Sequence, residues 1–474
     1  MRHRHGLWVS AAVAFAFAAP LLDAGCLPAL QTISAVGVFP NRLAGPIATN
    51  GSIIGMAKVD SDPLTAAIFF STYSGDLHQL TADTLVAARS LKGPVALFWT
   101  GSEFGLFYQA PTLVLMLQRI DASGNLIGGP IAIASHGWSA ADEFDVGWVP
   151  ARSAYAIART VTIGTDVGLW LIVIDRSGAV AFDGNLTVLM SPPTLPHVAA
   201  LSDGTIEVVW ARSGDAPIVL VSSVSPSGAL SAVAVVQRAV TDLRIATNGN
   251  STLVIEQVPV TGGTQLRYAQ VASGKVTTPD SLFLNGSGVD VAPRWLSWNP
   301  ALSEWVLLYV DAPAGLTVLP GDNRLRRFSS PAGLASDTLV AQSVVYSHLP
   351  TLSPSLFLDN SYITPIARRL SSAEGSESYL VKSCPFIVTA IADHPIWKPF
   401  VPIKFTALPS GGIAGFTYSW DFGDLSSGTG EVVQHAYNLE GTYNVTLSAT
   451  DAAGAQSVYK FTVQVVNQRR RAVK

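Results

Sequence analysis

A short turn recurs about every 50 residues along most of this chain, and no other sequence feature constrains the fold as strongly. The turn is a Ser-Gly pair in five copies and a Pro-Gly or Glu-Gly pair in two weaker ones. Successive copies are between 46 and 54 residues apart. The glycines of the seven copies are Gly75, Gly124, Gly178, Gly228, Gly274, Gly321 and Gly375. Such a period indicates one supersecondary unit repeated about seven times.

The residues around each turn predict four short β-strands per repeat. Runs rich in β-branched residues precede the turn, as at Leu169–Asp175 and Ile218–Val224, and an apolar strand follows it, as at Ile131–Ala134. Two more strands lie upstream, as at Val95–Trp99 and Gly105–Gln109. Gly, Ser and Asp between the runs suit hairpin turns. Helical spacing with caps is nearly absent from the region.

A four-stranded meander of this length cannot bury both of its faces alone. Arranged radially, each sheet packs against its neighbours, which predicts an all-β fold class with a β-propeller of about seven blades. We expect the first blade to begin near Ile47 and the last to carry an outer strand at Tyr379–Lys382. Residues 27–45 would lie beside that strand and complete the blade. The alternative, a string of β-sandwich modules, would give a period nearer 100 residues.

The repeat pattern ends at Cys384-Pro385, and residues 385–468 are typical of one compact sandwich. Here Tyr418-Ser-Trp-Asp-Phe-Gly-Asp424 is followed by His435-Ala-Tyr437 and then by Gly441-Thr-Tyr443. This order resembles the PKD (polycystic kidney disease) domain family, over the last fifth of the chain. The resemblance implies an Ig-like β-sandwich that makes extracellular contacts with proteins or carbohydrates.

The motif residues of this sandwich are predicted to stabilise the fold. Trp420 and Phe422 alternate around Asp421, so both rings should point inward, and Gly423 gives the next turn its backbone freedom. Asp424 can accept N–H bonds in that turn. Two nearby carboxylates fall short of the six to eight oxygens that calcium takes. The structural set is Trp420, Asp421, Phe422, Gly423, Asp424 and Tyr443.

The N-terminus predicts export. Arg2 and Arg4 precede an apolar run from Leu7 to Leu22, which is typical of a secretory signal peptide in residues 1–25 and is short for a membrane span. No later run predicts a transmembrane helix. The predicted divisions are therefore the signal peptide, a propeller over residues 26–384, a sandwich over 385–468 and a basic tail over 469–474. The excess of Arg over Lys hints at a bacterial source.

The two cysteines leave three alternatives open. Cys26 follows a sequence that looks like a bacterial lipobox, although Asp23 stands where that motif takes an aliphatic residue, so lipidation is one alternative. A disulfide between Cys26 and Cys384 is another, since an exported chain meets an oxidising compartment. Such a bond would lock the last blade to the N-terminal segment. Two free thiols are the third.

Composition and motifs point away from several function classes. The formal net charge is −4, which argues against nucleic acid as a partner. Sequence signatures for serine hydrolases, phosphate-binding loops and zinc proteases are absent, and no two histidines of the mature chain have metal-ligand spacing. We therefore predict no metal, no cofactor and no catalytic residue, although a triad could still assemble from distant blades.

Three tryptophans are the best sequence-based candidates for a binding surface. Trp138, Trp148 and Trp298 fall in segments that look like loops, whereas the other tryptophans of the mature chain mostly lie inside predicted strands. An exposed indole on a rigid scaffold can stack on a sugar or anchor a protein partner.

Together these features favour an exported binding or adhesion protein, secreted or at the cell surface. Its partners would be extracellular polysaccharide or protein. One alternative is a secreted hydrolase of glycans or proteins, with the sandwich as a substrate tether. A structural component of the cell envelope is the other. Acidic residues at the mouth of the propeller channel would favour the enzyme, and aromatic residues with few carboxylates would favour the binder.

Overall fold

The structure of this protein is a computed structural model. It describes residues 29–34, 42–60, 66–90, 95–133, 143–163, 166–189, 193–212, 217–272, 274–286, 288–313, 320–331, 335–345, 356–358, 361–371, 375–383, 386–410, 415–451 and 456–466. Cys26, Trp138, Cys384, the predicted signal peptide and the basic tail lie outside these ranges. Among the described residues, no helix is long and apolar enough to cross a membrane.

Within these ranges the first 28 strands form seven four-stranded antiparallel sheets, here called blades 1 to 7. Blade 1 has β2 (Arg42–Thr49), β3 (Ile53–Asp60), β4 (Ile68–Ser74) and β5 (Thr84–Ala87). Blade 2 has β6 (Ala96–Trp99), β7 (Phe104–Gln109), β8 (Leu115–Ile120) and β9 (Leu126–Ile133). Blade 3 has β10 (Phe144–Val149), β11 (Ala154–Ile163), β12 (Asp166–Asp175) and β13 (Val180–Leu189), with a 3₁₀ turn at Pro150–Arg152.

The remaining blades follow the same plan. Blade 4 has β14 (Pro193–Ala200), β15 (Ile206–Arg212), β16 (Ile218–Val224) and β17 (Leu230–Val236). Blade 5 has β18 (Asp242–Thr247), β19 (Thr252–Val260), β20 (Gly263–Ala272) and β21 (Lys275–Leu284). Blade 6 has β22 (Val289–Asn299), β23 (Glu304–Pro313), β24 (Pro320–Phe328) and β25 (Ala335–Val345). Blade 7 has β26 (Leu356–Leu358), β27 (Ser361–Ser371), β28 (Gly375–Ser383) and, as its fourth strand, β1 (Ala29–Ser34).

The first and last segments of the repeat region share blade 7. β1 pairs with β28 in antiparallel register, with Leu30 opposite Val381 and Gln31 opposite Leu380. The next described strand, β2, is the first strand of blade 1. The expectation that the N-terminal segment completes the last blade is thus met by residues 29–34, whereas 42–45 begin the next blade.

The repeated turns connect the third and fourth strands of blades 1 to 5. Gly178 shows why the turn takes glycine, since its φ is 85°, a left-handed conformation that costs other residues energy. The two weaker copies were wrongly placed in the series. Gly321 lies inside β24 and Gly375 begins β28. Blade 7 takes its fourth strand from the N-terminus, so it has no turn of this kind.

The hydrophobic core of the propeller is divided among the junctions between blades. One cluster of buried apolar side chains joins each pair of neighbours from blade 1 to blade 7. A further cluster joins blade 7 back to blade 1, where Ile47, Met56 and Tyr73 meet Ile363 and Leu380. The ring therefore closes through side-chain packing, which confirms the predicted propeller architecture of an all-β chain.

The remaining strands form a two-sheet sandwich. One sheet has the order β29 (Ile387–Ala392), β31 (Ile403–Ser410) and β34 (Val432–His435). The other has the order β30 (Ile396–Trp397), β36 (Gln456–Val465), β35 (Gly441–Thr450), β32 (Thr417–Asp421) and β33 (Ser427–Thr429). A single core lies between the sheets, built on Phe405, Trp420, Val445, Leu447 and Val463. This confirms the predicted Ig-like sandwich.

Candidate binding site

The first strands of all seven blades line one cavity of about 510 Å³. Because each blade presents its innermost strand to the same space, the cavity lies at the centre of the ring. Its volume is within the range of small-molecule sites. One lining residue from each blade, in order, is Ala48, Leu97, Val146, Ala199, Ile245, Leu296 and Leu356.

Aromatic side chains form part of the cavity wall. Trp99 ends β6, Trp148 lies near the end of β10, and Trp295 lies within β22. All three are half-buried, because part of each ring packs against the blades. Trp148, for example, meets the Tyr155 ring edge-on at 4.8 Å between centroids. The cavity thus offers large, rigid apolar surfaces next to open space.

The predicted loop placement of the tryptophans is wrong for the two that the structure describes. Trp148 and Trp298 both lie in the first strands of their blades. Each is followed by a tight connection, and for this reason its sequence context resembles a loop. Trp298 does not line the cavity and packs on Trp305 at 4.9 Å. The structure therefore brings Trp148, but not Trp298, to the central cavity.

An aromatic pair recurs across the innermost hairpin of four blades. The pairs are Trp99–Phe104, Trp148–Tyr155, Trp298–Trp305 and Phe357–Tyr362, with ring centroids 4.8 to 5.0 Å apart. Each pair is a cross-strand neighbour in the antiparallel register. Such pairs stabilise a hairpin beyond the area that they bury. Packing therefore accounts for much of what these tryptophans do.

Polar side chains from three successive blades meet at the cavity. The His197 ring lies between Asp145 and Arg244: its Nδ1 is 3.4 Å from Asp145 Oδ2, and its Nε2 is 3.5 Å from Arg244 Nη1. All three residues line the cavity. The side chains are 11 to 18% exposed, so they are shielded from bulk water without being sealed off.

Backbone contacts fix the outer members of this cluster. Asp145 Oδ2 accepts the Val198 N–H at 2.9 Å, across the junction of blades 3 and 4. The Arg244 Nε donates to the Arg294 carbonyl at 2.9 Å, across the junction of blades 5 and 6, and its Nη1 also bonds Asp242. The described residues leave Asp145 Oδ1 and Arg244 Nη2 without a hydrogen-bond partner. One acceptor and one donor therefore remain available to a ligand.

The sequence analysis missed this polar cluster because its members are far apart in the chain. Asp145, His197 and Arg244 are separated by 52 and 47 residues, which is close to the repeat period. Polar residues at equivalent positions of successive repeats would have been the signal, because the ring brings equivalent positions of neighbouring blades close together. Among the described residues, no group of three or more His, Cys, Asp or Glu could hold a metal ion.

The aromatic motif residues of the sandwich lie in its core. Trp420 is buried and donates its Nε1–H to the Gly430 carbonyl at 2.9 Å. Phe422 is buried as well, and its ring stacks on His435 at 4.2 Å. Tyr443 is half-buried, stacks on Tyr437 and donates its hydroxyl hydrogen to the Leu439 carbonyl at 2.9 Å.

The remaining motif residues form the turn that follows β32. Asp421 Oδ1 accepts the Gly423 N–H at 2.9 Å. Gly423 has φ 78°, and a Cβ there would lie 2.5 Å from the Asn444 carbonyl oxygen, so only glycine fits. Asp424 accepts the Ser426 N–H at 3.1 Å and contacts His435 Nε2 at 2.8 Å. Burial acts to raise the Asp424 pKa, but the bonds from Ser426 and His435 hold it below its usual value.

The family model of the PKD domain matches residues 399–465. The match covers most of the sandwich, and it includes every residue of the motif described above. We use "PKD domain" below for the described residues from 386 to 466.

Similar solved structures are remote in sequence. The BP39L lectin from Burkholderia pseudomallei is 13% identical, covers 90% of this chain and 100% of its own, and has a TM-score of 0.41. A triple mutant of AofleA from Arthrobotrys oligospora is 12% identical, covers 68% of this chain and 92% of its own, and has a TM-score of 0.43. The β-propeller domain of the Trilobed protease from Pyrococcus furiosus is 7% identical, covers 91% of this chain and 98% of its own, and has a TM-score of 0.39. Values this low carry neither a ligand nor a reaction over to this chain.

Proposed function

We propose that this protein is an exported, non-enzymatic binding protein whose central cavity takes an extracellular carbohydrate. The N-terminal sequence supports export, and the PKD domain supports an extracellular setting. The PKD domain would add contacts to the same polymer or to a protein. The excess of Arg over Lys supports a bacterial source.

The observation that carries this proposal is the composition of the cavity wall. Trp99, Trp148 and Trp295 line the same space as Asp145 and Arg244. The C–H face of a sugar is apolar and stacks on an indole ring, while its hydroxyl groups need both donors and acceptors. Asp145 Oδ1 and Arg244 Nη2 provide one of each beside the rings. A mostly apolar pocket with a few convergent polar groups is the usual form of such sites.

Binding of a neutral sugar also fits the charge balance of the cavity. The guanidinium of Arg244 is already paired with Asp242, and among the described residues Asp145 is the one carboxylate on the cavity wall. Aromatic residues with few carboxylates are the pattern that favours a binder over a hydrolase. A ligand would therefore be held by stacking on the indole rings and by hydrogen bonds to Asp145 and Arg244.

The test is an incubation of the purified mature protein with insoluble polysaccharides, in which pelleted protein and released soluble sugar are both measured. We expect pelleting without release. Asp145→Asn, which keeps the shape of the side chain and removes its charge, should weaken pelleting at least tenfold. Asp76→Asn is the matched control, because Asp76 is 80% exposed and does not line the cavity. Equal pelleting by both variants would overturn the cavity as the site.

A second candidate is a secreted hydrolase of glycans or proteins. The contact between Asp145 and His197 favours it, because a carboxylate that orients an imidazole is a common acid–base arrangement. In that case the same incubation would release soluble product, and Asp145→Asn would abolish the release. If there is neither pelleting nor release, the remaining alternative, a structural role in the cell envelope, is preferred.

A further inference from the structure

The carboxylate of Asp145 is buried beside the central cavity and is only half satisfied. The residue is 8% exposed. Its Oδ2 accepts the Val198 N–H at 2.9 Å, whereas the described residues leave Oδ1 without a hydrogen-bond partner. Taking a carboxylate out of water is costly unless it is paired with an opposite charge as well as hydrogen-bonded. The buried charge of Asp145 therefore needs a cation.

His197 does not supply that cation. Its Nδ1 lies 3.4 Å from Asp145 Oδ2, and its Nε2 lies 3.5 Å from Arg244 Nη1. A guanidinium only donates hydrogen bonds, so the bond between Arg244 and His197 requires a lone pair on Nε2. The His197 ring is then neutral, with its proton on Nδ1. It can donate that proton to a hydrogen bond with Asp145 but cannot neutralise the carboxylate.

The guanidinium of Arg244 is already used by a second carboxylate. Arg244 pairs with Asp242, whose Oδ1 also accepts the Leu243 N–H at 2.8 Å. The Arg244 Nε donates to the Arg294 carbonyl at 2.9 Å. Asp145 and Asp242 thus share one guanidinium, so one negative charge remains uncompensated in this group.

The other charged residues near Asp145 do not compensate this charge at the cavity wall. Glu143, two residues earlier in the chain, is itself acidic. Arg159 pairs with Phe144 in the register of β10 and β11, so its side chain leaves the sheet on the face opposite to that of Asp145. Glu143, Arg159 and Arg294 do not line the cavity.

The indole rings of the cavity wall also favour a positively charged ligand. The face of an aromatic ring attracts a cation, and tryptophan gives the strongest attraction of this kind. Trp99, Trp148 and Trp295 line the same cavity as Asp145. Trp148 follows Asp145 by three residues in β10, or about 10 Å along the strand, so one ligand can contact both within a volume of about 510 Å³.

We propose that the preferred ligand of the central cavity is an amino sugar with a free, protonated amine, whose ammonium group binds Asp145 Oδ1. This inference rests on the proposed function, the binding of a carbohydrate in the cavity. A neutral sugar can donate a hydroxyl hydrogen to Oδ1 but leaves the carboxylate without a counter-charge. An ammonium group makes the same hydrogen bond and neutralises the carboxylate, so its bond is stronger. The sugar ring stacks on an indole, and a hydroxyl oxygen accepts from Arg244 Nη2.

The test is titration of the purified mature protein with glucosamine, galactosamine and mannosamine at pH 7, followed by tryptophan fluorescence. Each sugar is compared with its parent hexose and with its N-acetyl derivative, in which the amine is an uncharged amide. We expect at least one amino sugar to bind about tenfold more tightly than both of its neutral counterparts. Isothermal titration calorimetry with the same sugars measures this ratio without relying on the ring signal.

Three variants assign the preference to the charge of Asp145. Asp145→Asn keeps an acceptor for the Val198 N–H but removes the charge, so the ratio of amino-sugar affinity to hexose affinity should fall to about one. Asp242→Asn leaves Arg244 without its counter-charge and should lower the same ratio by about threefold. Asp76→Asn, 80% exposed and outside the cavity wall, is the matched control and should keep the wild-type ratio. Thermal unfolding checks that each variant is folded.

The outcomes separate this inference from the function on which it rests. Amino sugars that bind no more tightly than their parent hexoses would overturn the inference and leave carbohydrate binding intact. A preference that survives Asp145→Asn would overturn the assignment of the ammonium group to Asp145. Absence of a response to every sugar would also overturn the inference, and pelleting on a polysaccharide would then show that carbohydrate binding itself still holds.

Discussion

The propeller and the PKD domain bury very different kinds of side chain. Among the described residues, the charged side chains that are buried in the propeller are Lys58, Asp60, Glu103, Asp145, Arg159, Glu207, Glu256, Glu304 and Lys382. Among the described residues of the PKD domain, Asp451 is the one buried charged side chain. The PKD core instead consists of aromatic and aliphatic side chains between its two sheets.

This difference follows from how each unit closes. A sandwich has one interior that excludes water, so charge is kept out of it. A propeller has a junction between every pair of blades, and polar groups at a junction can bond across it, as Tyr362 of blade 7 does with Glu304 of blade 6. The PKD domain should thus lose stability mainly through cavities, and the propeller through charges left without a partner.

The largest effect should come from a cavity in the PKD core. Trp420→Ala removes a fully buried indole and its bond to Gly430, and we expect the free energy of unfolding of the PKD domain to fall by roughly 3–5 kcal/mol. In differential scanning calorimetry of the full chain, the transition of the PKD domain should move to lower temperature or disappear. The propeller transition should stay unchanged. A shift of both transitions by equal amounts would contradict the division into separate cores.

A smaller effect should come from removing charge at a blade junction. Arg327 donates two bonds of 2.9 Å to Glu304, and both side chains are 11% exposed. Glu304→Gln leaves the guanidinium of Arg327 without its counter-charge, so we expect the propeller to lose about 3 kcal/mol. Urea unfolding measures this loss.

The chain contains a matched control for this variant. Glu103 and Arg119 form the same two-bond pair in blade 2, at 2.8 Å, but the Arg119 side chain is 31% exposed. Water can solvate that guanidinium, so Glu103→Gln should cost about 1 kcal/mol. The neighbouring tyrosines differ too, because Tyr362 bonds Glu304 and Asn299 while the Tyr155 hydroxyl has no partner. Equal losses in the two variants would show that burial does not set the cost.

The sequence was most informative where local chemistry repeats. Ser177-Gly178 and its equivalents marked the turn between third and fourth strands, because the glycine is left-handed in blades 2 to 5. The Trp420–Asp424 motif predicted the sandwich for a similar reason, since its burial pattern alternates within five residues. Both patterns depend on the conformation of a few consecutive residues, so they can be recognised in the sequence.

The sequence was less informative where the fold brings distant segments together. Blade 7 combines β1 with strands more than 300 residues later, so no turn marks its fourth strand and the weaker glycine positions were misleading. The contact between Asp145, His197 and Arg244 depends on the angle between successive blades, which no local pattern encodes. Trp148 and Trp298 looked like loop residues because the hairpins after them are short.

The last comparison is a difference in the pH dependence of the two units, with an expected effect below those of Trp420→Ala and Glu304→Gln. Glu256 is fully buried in β19, both of its carboxylate oxygens lack a hydrogen-bond partner, and burial raises its pKa from 4.5 to about 7 although Arg238 and Arg267 act to lower it. The folded propeller thus holds a proton that the unfolded chain releases near pH 4.5. The stability that this proton contributes is complete below pH 4.5 and is lost as the pH rises through about 7.

We therefore expect the free energy of unfolding of the propeller to fall by on the order of 2–3 kcal/mol between pH 5 and pH 8, and Glu256→Gln to remove most of that fall. Burial also raises the pKa of Glu207, so the Glu256→Gln variant should keep a residual pH dependence of the same sign. The PKD domain should respond in the opposite direction. The lowered pKa of Asp424 makes its contribution complete at neutral pH and lost in acid, as the pH falls through that value. Urea unfolding at pH 5 and pH 8 measures the propeller slope, and unfolding below pH 3.8 compared with pH 5 measures the slope of the PKD domain. A Glu256→Gln propeller that keeps the full wild-type slope would show that Glu256 is already ionised in the folded blade.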